Sequence, residues 1–133
     1  MNIKLGYIHI DSWQPTDRLA DDFYFDPEDD CYNEDCVKSV RELDPEEVVL
    51  PMRQYVIRLD YPTRVPFHTD LIVNGDGLTR RELVSAIVEA YRNLYKSAKG
   101  KNPYGVYGHD IGDLMLASAD VSGNAIITVG VDS

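Results

Sequence analysis

One segment constrains the fold more than any other, because residues 79–100 have the pattern of a long amphipathic helix. Thr79 and Glu82 have the spacing of a capping box, in which each side chain accepts a hydrogen bond from the other residue's amide. Gly100 stands where a helix commonly ends. Apolar side chains recur between them at helical spacing: Leu83, Val84, Ile87, Val88, Ala90, Tyr91, Leu94, Tyr95 and Ala98. The segment predicts a helix of about 20 residues, roughly 30 Å long, that must cover an apolar surface.

Alternating apolar residues predict strands on both sides of this helix. Residues 3–10 favour a strand whose apolar phase shifts near its middle, as a β-bulge allows. Residues 54–61 and 67–73 alternate in front of the helix. Residues 114–121 and 124–131 follow it and are joined through Ser122 and Gly123, which favours a tight hairpin. The order predicts an α+β fold: an antiparallel sheet of four to five strands with one long helix packed on one face.

The length of 133 residues fits one domain with three parts. Residues 1–10 are the first strand, residues 11–53 form a segment that we call the acidic arm, and residues 54–133 are a strand–strand–helix–strand–strand core. The arm is rich in proline and carboxylates, and a short helix is expected after Pro45, since proline suits a first helical position.

The formal net charge of −10 is divided unequally along the chain. Residues 1–50 carry 14 acidic and 4 basic side chains, whereas residues 51–133 carry 9 of each. This excess disfavours nucleic acid and anionic membrane surfaces as partners, since both require a basic footprint. No apolar run approaches membrane-spanning length, and the first residues lack the pattern of a signal peptide. We expect an intracellular protein of the cytoplasm.

The loop after the helix contains the best candidates for catalytic or metal-binding residues. His109, Asp110 and Asp113, with Tyr104 and Tyr107 before them, could hold a divalent metal or supply a base and its orienting partner. His9, His68 or Asp132 would complete such a site. The alternative is that the glycines of this loop form turns, Asp110 caps one of them and His109 packs. Because this spacing is not a specific motif, we expect no catalytic residue, and a small metal-dependent hydrolase remains the second hypothesis.

The two cysteines, Cys31 and Cys36, are interpreted as ordinary thiols. Their spacing is wider than usual for structural zinc and no second pair is evident, although His9 or His68 could complete a tetrahedron. No phosphate-binding glycine loop or nucleophile elbow is present in the sequence. We therefore expect no metal and no cofactor.

The carboxylates of the acidic arm are the expected partner-binding residues. They are Asp26, Glu28, Asp29, Asp30, Glu34 and Asp35. Segregated charge creates a one-sided negative field that steers basic surfaces toward it. The first hypothesis is therefore a non-enzymatic interaction or structural protein that meets a basic protein surface, with homo-oligomerisation left open. The alternative is an acidic segment that only solvates a loop.

The second half of the chain resembles a family of small uncharacterised proteins. The resemblance rests on residues 78–83, 90–95, 107–114 and 129–133, above all on the Gly108-His109-Asp110-Ile111 and Asp132-Ser133 segments. This family occurs in large amoeba-infecting DNA viruses of the marseillevirus type, with similar sequences in plants and protists. The resemblance covers about residues 54–133 and implies a viral origin, a place in the host cytoplasm and packaging in the virus particle. It implies no activity, substrate or cofactor.

Overall fold

Seven β-strands and one α-helix form the part of the chain that the structure describes. The computed structural model describes residues 1–17, 19, 43–98 and 110–132. The helix α1 (Arg80–Ala98) follows the fifth strand directly, and a short 3-10 helix (Ile111–Asp113) precedes the sixth. The strands are β1 (Asn2–His9), β2 (Val48–Leu50), β3 (Arg53–Leu59), β4 (Phe67–Val73), β5 (Leu78–Thr79), β6 (Met115–Val121) and β7 (Ile126–Asp132).

Five of these strands form one sheet in the order β1-β6-β7-β3-β4, and β2 and β5 form a second, two-stranded sheet. The predicted α+β fold, a sheet of this size with one long helix, is confirmed. The large sheet is mixed and not antiparallel throughout, as was expected, because β3 and β7 are parallel, with Ile57 opposite Ile127. The β6–β7 hairpin inserts β7 between β6 and β3, so the last described strand is central in the sheet.

Helix α1 covers one face of this sheet and makes contacts with β1, β3 and β4. The predicted apolar stripe is confirmed, since Leu83, Val84, Ile87 and Leu94 are fully buried. Their partners from the sheet include Leu5, Tyr55, Ile57, Leu59, Leu116 and Ile127. Each large apolar side chain that is buried contributes about 1.5–3 kcal/mol of stability, so this helix–sheet contact is the main stabilising interface. Within the described ranges, no helix has both the length and the apolar character needed to cross a membrane.

The capping box at the start of α1 is also confirmed. The Glu82 amide donates to Thr79 Oγ1 at 3.2 Å, and the Thr79 amide donates to Glu82 Oε1 at 3.0 Å. Two of the amides that a helix N-terminus leaves unpaired are thereby satisfied. Gly100, the predicted residue beyond the helix end, lies outside the described residues.

The phase shift in β1 is a real irregularity of the strand. The register of β1 against β6 shifts between Lys4 and Ile8, and Gly6 within this interval has a φ of 121°. A Cβ at Gly6 would overlap the carbonyl oxygen of Leu19, which accepts a hydrogen bond from the Tyr7 amide at 2.9 Å. Glycine is needed here for both the backbone conformation and the close approach.

Two local expectations differ from the structure. In place of a short helix after Pro45, a turn is followed by β2, because the Asp44 carboxylate accepts from the Glu46 amide at 2.9 Å and Val48 pairs with Thr79. The β6–β7 loop is also longer than expected, since β7 begins at Ile126 and residues 122–125 form the turn.

Candidate functional site

Most of the expected site residues lie outside the described part of the chain. This holds for the six partner-binding carboxylates (Asp26, Glu28, Asp29, Asp30, Glu34 and Asp35), for both cysteines and for His109, Tyr104 and Tyr107. Asp110 and Asp113 of the alternative hydrolase site are described, as are both ends of the acidic arm, residues 11–17 and 43–53. The contacts of these described residues are therefore the basis for assigning a functional site.

Asp110 and Asp113 have a structural role at the short 3-10 helix. Asp110 is its N-cap residue, with an extended backbone, and its amide donates to Asp113 Oδ2 at 3.1 Å. The Asp113 amide in turn donates to the Asp110 carbonyl oxygen at 2.9 Å. A carboxylate that accepts a local amide in this way closes the turn that leads into β6. Asp110 was expected to cap a turn; it occupies the N-cap position, and the carboxylate that accepts the hydrogen bond there is that of Asp113.

Two tyrosines of α1 have raised pKa values, and one of them, Tyr95, lies near these carboxylates. Burial raises the pKa of Tyr95 to about 12, and the charges of Asp110 and Asp113 contribute further. Burial also raises the pKa of Tyr91 well above its usual value, with neighbouring Tyr95 adding to the effect. The Tyr91 hydroxyl donates to the Tyr61 carbonyl oxygen at 2.9 Å. Both phenols are therefore held protonated, and neither is suited to act as a base near neutral pH.

The histidines proposed as further ligands lie on opposite edges of the large sheet. His9 pairs with Met115 in β1, whereas His68 lies opposite Arg58 in β4. Four strand intervals separate these two edge strands, a distance of about 19 Å. Asp132, opposite Met115 in β7, is two strands from His9. Among the described residues, no group of three or more His, Cys, Asp and Glu side chains is placed to hold a metal ion.

The most developed polar arrangement joins α1 to the acidic arm. It is formed by three arginines, Arg80, Arg81 and Arg92, which we call the anchor arginines. Arg80 is 7% exposed and donates from Nε to the Lys4 carbonyl oxygen at 2.8 Å, where the register of β1 shifts. Its NH1 group donates to the Asp44 carbonyl oxygen, and its NH2 group forms an ion pair with Glu47 at 2.9 Å.

Arg81 contacts both ends of the acidic arm with one guanidinium group. Its NH1 atom donates to the carbonyl oxygens of Pro15 at 2.7 Å and Asp17 at 2.6 Å. Its Nε atom donates to Glu46 Oε1 at 3.0 Å. The planar guanidinium has five donors in a fixed geometry, which suits it to bridge two chain segments.

Arg92 lies three helical turns beyond Arg81, on the same side of α1. Its NH2 atom donates to the carbonyl oxygens of Trp13 at 2.8 Å and Asp11 at 3.1 Å. Trp13 is itself buried, at 4% exposure. The first end of the arm is therefore held at two points along the helix.

The second end of the arm also pairs with the backbone at the helix N-terminus. The Arg80 amide donates to the Glu47 carbonyl oxygen at 2.8 Å, and the Arg81 amide donates to that of Pro45 at 2.9 Å. Both amides belong to the first turn, where a helix has no partner of its own. The residues 44–47 thus complete the N-terminus of α1.

The anchor arginines were not expected from the sequence. A signal was nevertheless present at Arg80. It precedes Val84, Ile87 and Tyr91 at helical spacing and so lies on the apolar stripe. A charged residue in that phase must be buried with partners, because an unpaired buried charge is costly.

The chain matches no protein-family model, no curated protein and no solved structure. The resemblance of residues 54–133 to the family of amoeba-infecting viruses therefore stays a prediction, and so do the host cytoplasm and the virus particle as locations.

Proposed function

We propose that this protein is a non-enzymatic interaction module that uses its acidic arm to bind a basic protein surface. The observation that carries this proposal is the attachment of both described ends of the arm to α1 by charge-assisted hydrogen bonds of 2.6–3.0 Å from Arg81. Three arginines of α1 and the β-bulge of β1 all contact residues of the arm. An acidic segment that served only for solubility would not need such fixed ends.

The charge of the arm gives the class of partner. Between Asp17 and Asp44, residues 18–43 carry nine acidic and three basic side chains, a net charge of −6. A basic protein segment is the matching surface, and its attraction acts over about 8–10 Å at moderate salt. Outside the whole acidic arm, residues 1–10 and 54–133 together carry nine acidic and nine basic side chains, so the arm sets the direction of the field.

A defined basic probe tests this proposal. A fluorescent octalysine peptide would be titrated with the full chain and with a variant carrying Asp26→Asn, Glu28→Gln, Asp29→Asn and Asp30→Asn. We expect anisotropy to report binding to the natural chain at low salt, weaker binding at physiological salt, and at least a tenfold loss of affinity in the variant.

The matched control neutralises four carboxylates of the described core. Asp70→Asn, Asp76→Asn, Glu89→Gln and Asp120→Asn change exposed residues outside the arm and alter the net charge by the same amount. This control should retain most of the affinity. Equal losses in the two variants would show that the peptide responds to net charge alone, and the proposal would then be wrong.

A further inference from the structure

We propose that the turn between β4 and β5 is a site of spontaneous covalent modification, at which Asn74 loses ammonia and becomes isoaspartate. Asn74 and Gly75 directly follow the last residue of β4, and both are exposed. Glycine after asparagine favours this reaction, because no side chain hinders attack by the glycine amide. The site is independent of the acidic arm and of its partner.

The reaction needs only the backbone and water. The Gly75 amide nitrogen attacks Asn74 Cγ and gives its proton to solvent, while the side-chain nitrogen leaves as ammonia. The product is a cyclic succinimide. Water then opens the ring at one of its two carbonyl carbons. Attack at Cγ gives aspartate, and attack at the main-chain carbonyl carbon gives isoaspartate, whose main chain continues through Cγ.

The Gly75 amide is free to make this attack. Within the described residues, no hydrogen bond uses this amide or the Asn74 side chain. The turn is closed instead by the Gly77 amide, which donates to the Asn74 carbonyl oxygen at 3.3 Å. A Cβ at Gly75 would meet nothing within 4 Å, so water can reach the succinimide from this side.

The same turn contains a second reactive pair, Asp76 and Gly77, which the structure protects. Aspartate before glycine forms the same ring, with loss of water in place of ammonia. The Gly77 amide, however, is already used in the hydrogen bond to Asn74. A Cβ at Gly77 would lie 2.5 Å from the Leu50 carbonyl oxygen, so this glycine is also packed against β2. Of the two pairs, only Asn74 and Gly75 are placed to react.

Asn124, in the β6–β7 loop, is the natural comparison within the chain. It is exposed like Asn74. Its side chain accepts a hydrogen bond from the Ser122 hydroxyl, and the next amide, that of Ala125, donates to the Ser122 carbonyl oxygen at 3.1 Å. Both the electrophile and the nucleophile are therefore held in other contacts.

Isoaspartate at position 74 would add one carbon atom to the main chain between β4 and β5. This connection is closely fitted, because Gly77 packs against Leu50 and Leu78 pairs with Leu50. The next residue, Thr79, accepts the capping hydrogen bond at the start of α1. We therefore expect the modification to weaken both the β2–β5 pairing and the helix cap.

Peptide mapping of the full natural chain tests the site. The protein would be kept in warm, mildly alkaline buffer, folded or in urea, and digested with trypsin at intervals. Residues 65–80 form one tryptic peptide that contains Asn74 and Asp76. Mass spectrometry detects conversion of Asn74, and chromatography separates the isoaspartyl forms. Comparing each residue with itself in urea removes the intrinsic difference in reactivity.

We expect Asn74 to react in the folded protein within about threefold of its rate in urea, since an exposed turn opens at little cost. Asp76 and Asn124 should react at least about tenfold more slowly folded than in urea, because their neighbouring amides must first leave a hydrogen bond. Folding that slows Asn74 as much as Asn124 would overturn the proposal.

Two variants test the consequence for stability. Asn74→Asp introduces the same charge without the added carbon, and Asn74→Gln removes the reactive residue. The natural chain should melt at a lower temperature after incubation than before it. Fresh Asn74→Asp should melt close to the fresh natural chain, and Asn74→Gln should lose less on incubation than the natural chain does. An equal loss in incubated Asn74→Gln would show that Asn74 is not the residue responsible.

Discussion

Ala125, at the end of the β6–β7 loop, has a backbone conformation that L-amino acids rarely adopt. Its φ is 62°, in the left-handed region, where a Cβ costs about 1–2 kcal/mol. Two hydrogen bonds hold it there: its amide donates to the Ser122 carbonyl oxygen at 3.1 Å, and its own carbonyl oxygen accepts from the Val56 amide at 3.0 Å. The second bond joins the hairpin to β3 where the parallel pairing begins.

Ala125→Gly should therefore cost less stability than a buried alanine-to-glycine change usually does. Ala125 is 5% exposed, so the change loses a buried methyl group and frees the unfolded chain, and relief of the left-handed strain offsets both losses. We expect the free energy of unfolding to change by less than about 0.5 kcal/mol in denaturant melts. Ala119→Gly, at a buried position within β6, is the control, because it loses the same methyl group without relief of strain and should be clearly destabilised. Equal losses at the two positions would contradict the strain argument.

The raised pKa values of Tyr91 and Tyr95 predict how stability depends on alkaline pH. A phenol in the unfolded chain ionises near pH 10, whereas the pKa of Tyr95 is about 12 in the fold. The contribution of these phenols is fully present below pH 10 and is lost as the pH rises toward 12. The free energy of unfolding should fall between pH 10 and 12 in the natural chain and fall less steeply in the double variant Tyr91→Phe, Tyr95→Phe. Equal slopes would show that other groups control alkaline unfolding.

At the scale of elements, the start of α1 depends on its capping box. Thr79→Ala removes the oxygen that accepts from the Glu82 amide at 3.2 Å, and should cost about 1 kcal/mol. Thr16→Ala changes an exposed threonine outside any helix or strand and should stay within about 0.5 kcal/mol. Similar results for the two variants in denaturant melts would mean that the arm segment at residues 44–47 already caps the helix sufficiently.

The elements that sequence reasoning predicted well are those defined by local pattern. Periodicity located α1, β3 and β4, and the phase shift in β1 indicated its bulge, because these signals depend on neighbouring residues. The parallel pairing of β7 with β3 could not be predicted, since it depends on residues about 70 positions apart. The β6–β7 loop was expected to be shorter because a left-handed alanine is not a turn signal.

The same distinction applies to the candidate site. Asp110 was expected to cap a turn because aspartate commonly does so, and this is its position at the 3-10 helix. The contacts of Arg81 with Pro15 and Asp17 join distant segments through backbone oxygens, which no residue pattern indicates. Every residue has a backbone carbonyl oxygen, and only the folded structure determines which of these oxygens accept a hydrogen bond from an arginine.

At the scale of the whole molecule, the large sheet ends at β4 in the described part of the chain. This edge strand pairs with β3 alone, and its exposed residues are His68, Asp70 and Ile72. Ile72 is 64% exposed, an unusual position for a large apolar side chain on an edge. Open edges of this kind tend to pair with other chains unless a charge interrupts them.

Asp70 is the charge that interrupts this edge, and the last prediction concerns its removal. Asp70→Val would leave a run of apolar and β-branched residues from Thr69 to Val73, with no charge to prevent edge pairing. We expect sedimentation velocity to show concentration-dependent self-association of this variant near neutral pH. Asp120→Val is the matched control, because it makes the same change on the same face of the sheet but in β6, which has strands on both sides. Since both variants reduce the net charge equally, repulsion between chains is the same in the two. Association of both variants would assign the effect to the apolar face, and a monomeric Asp70→Val would show that the edge needs no protection by charge.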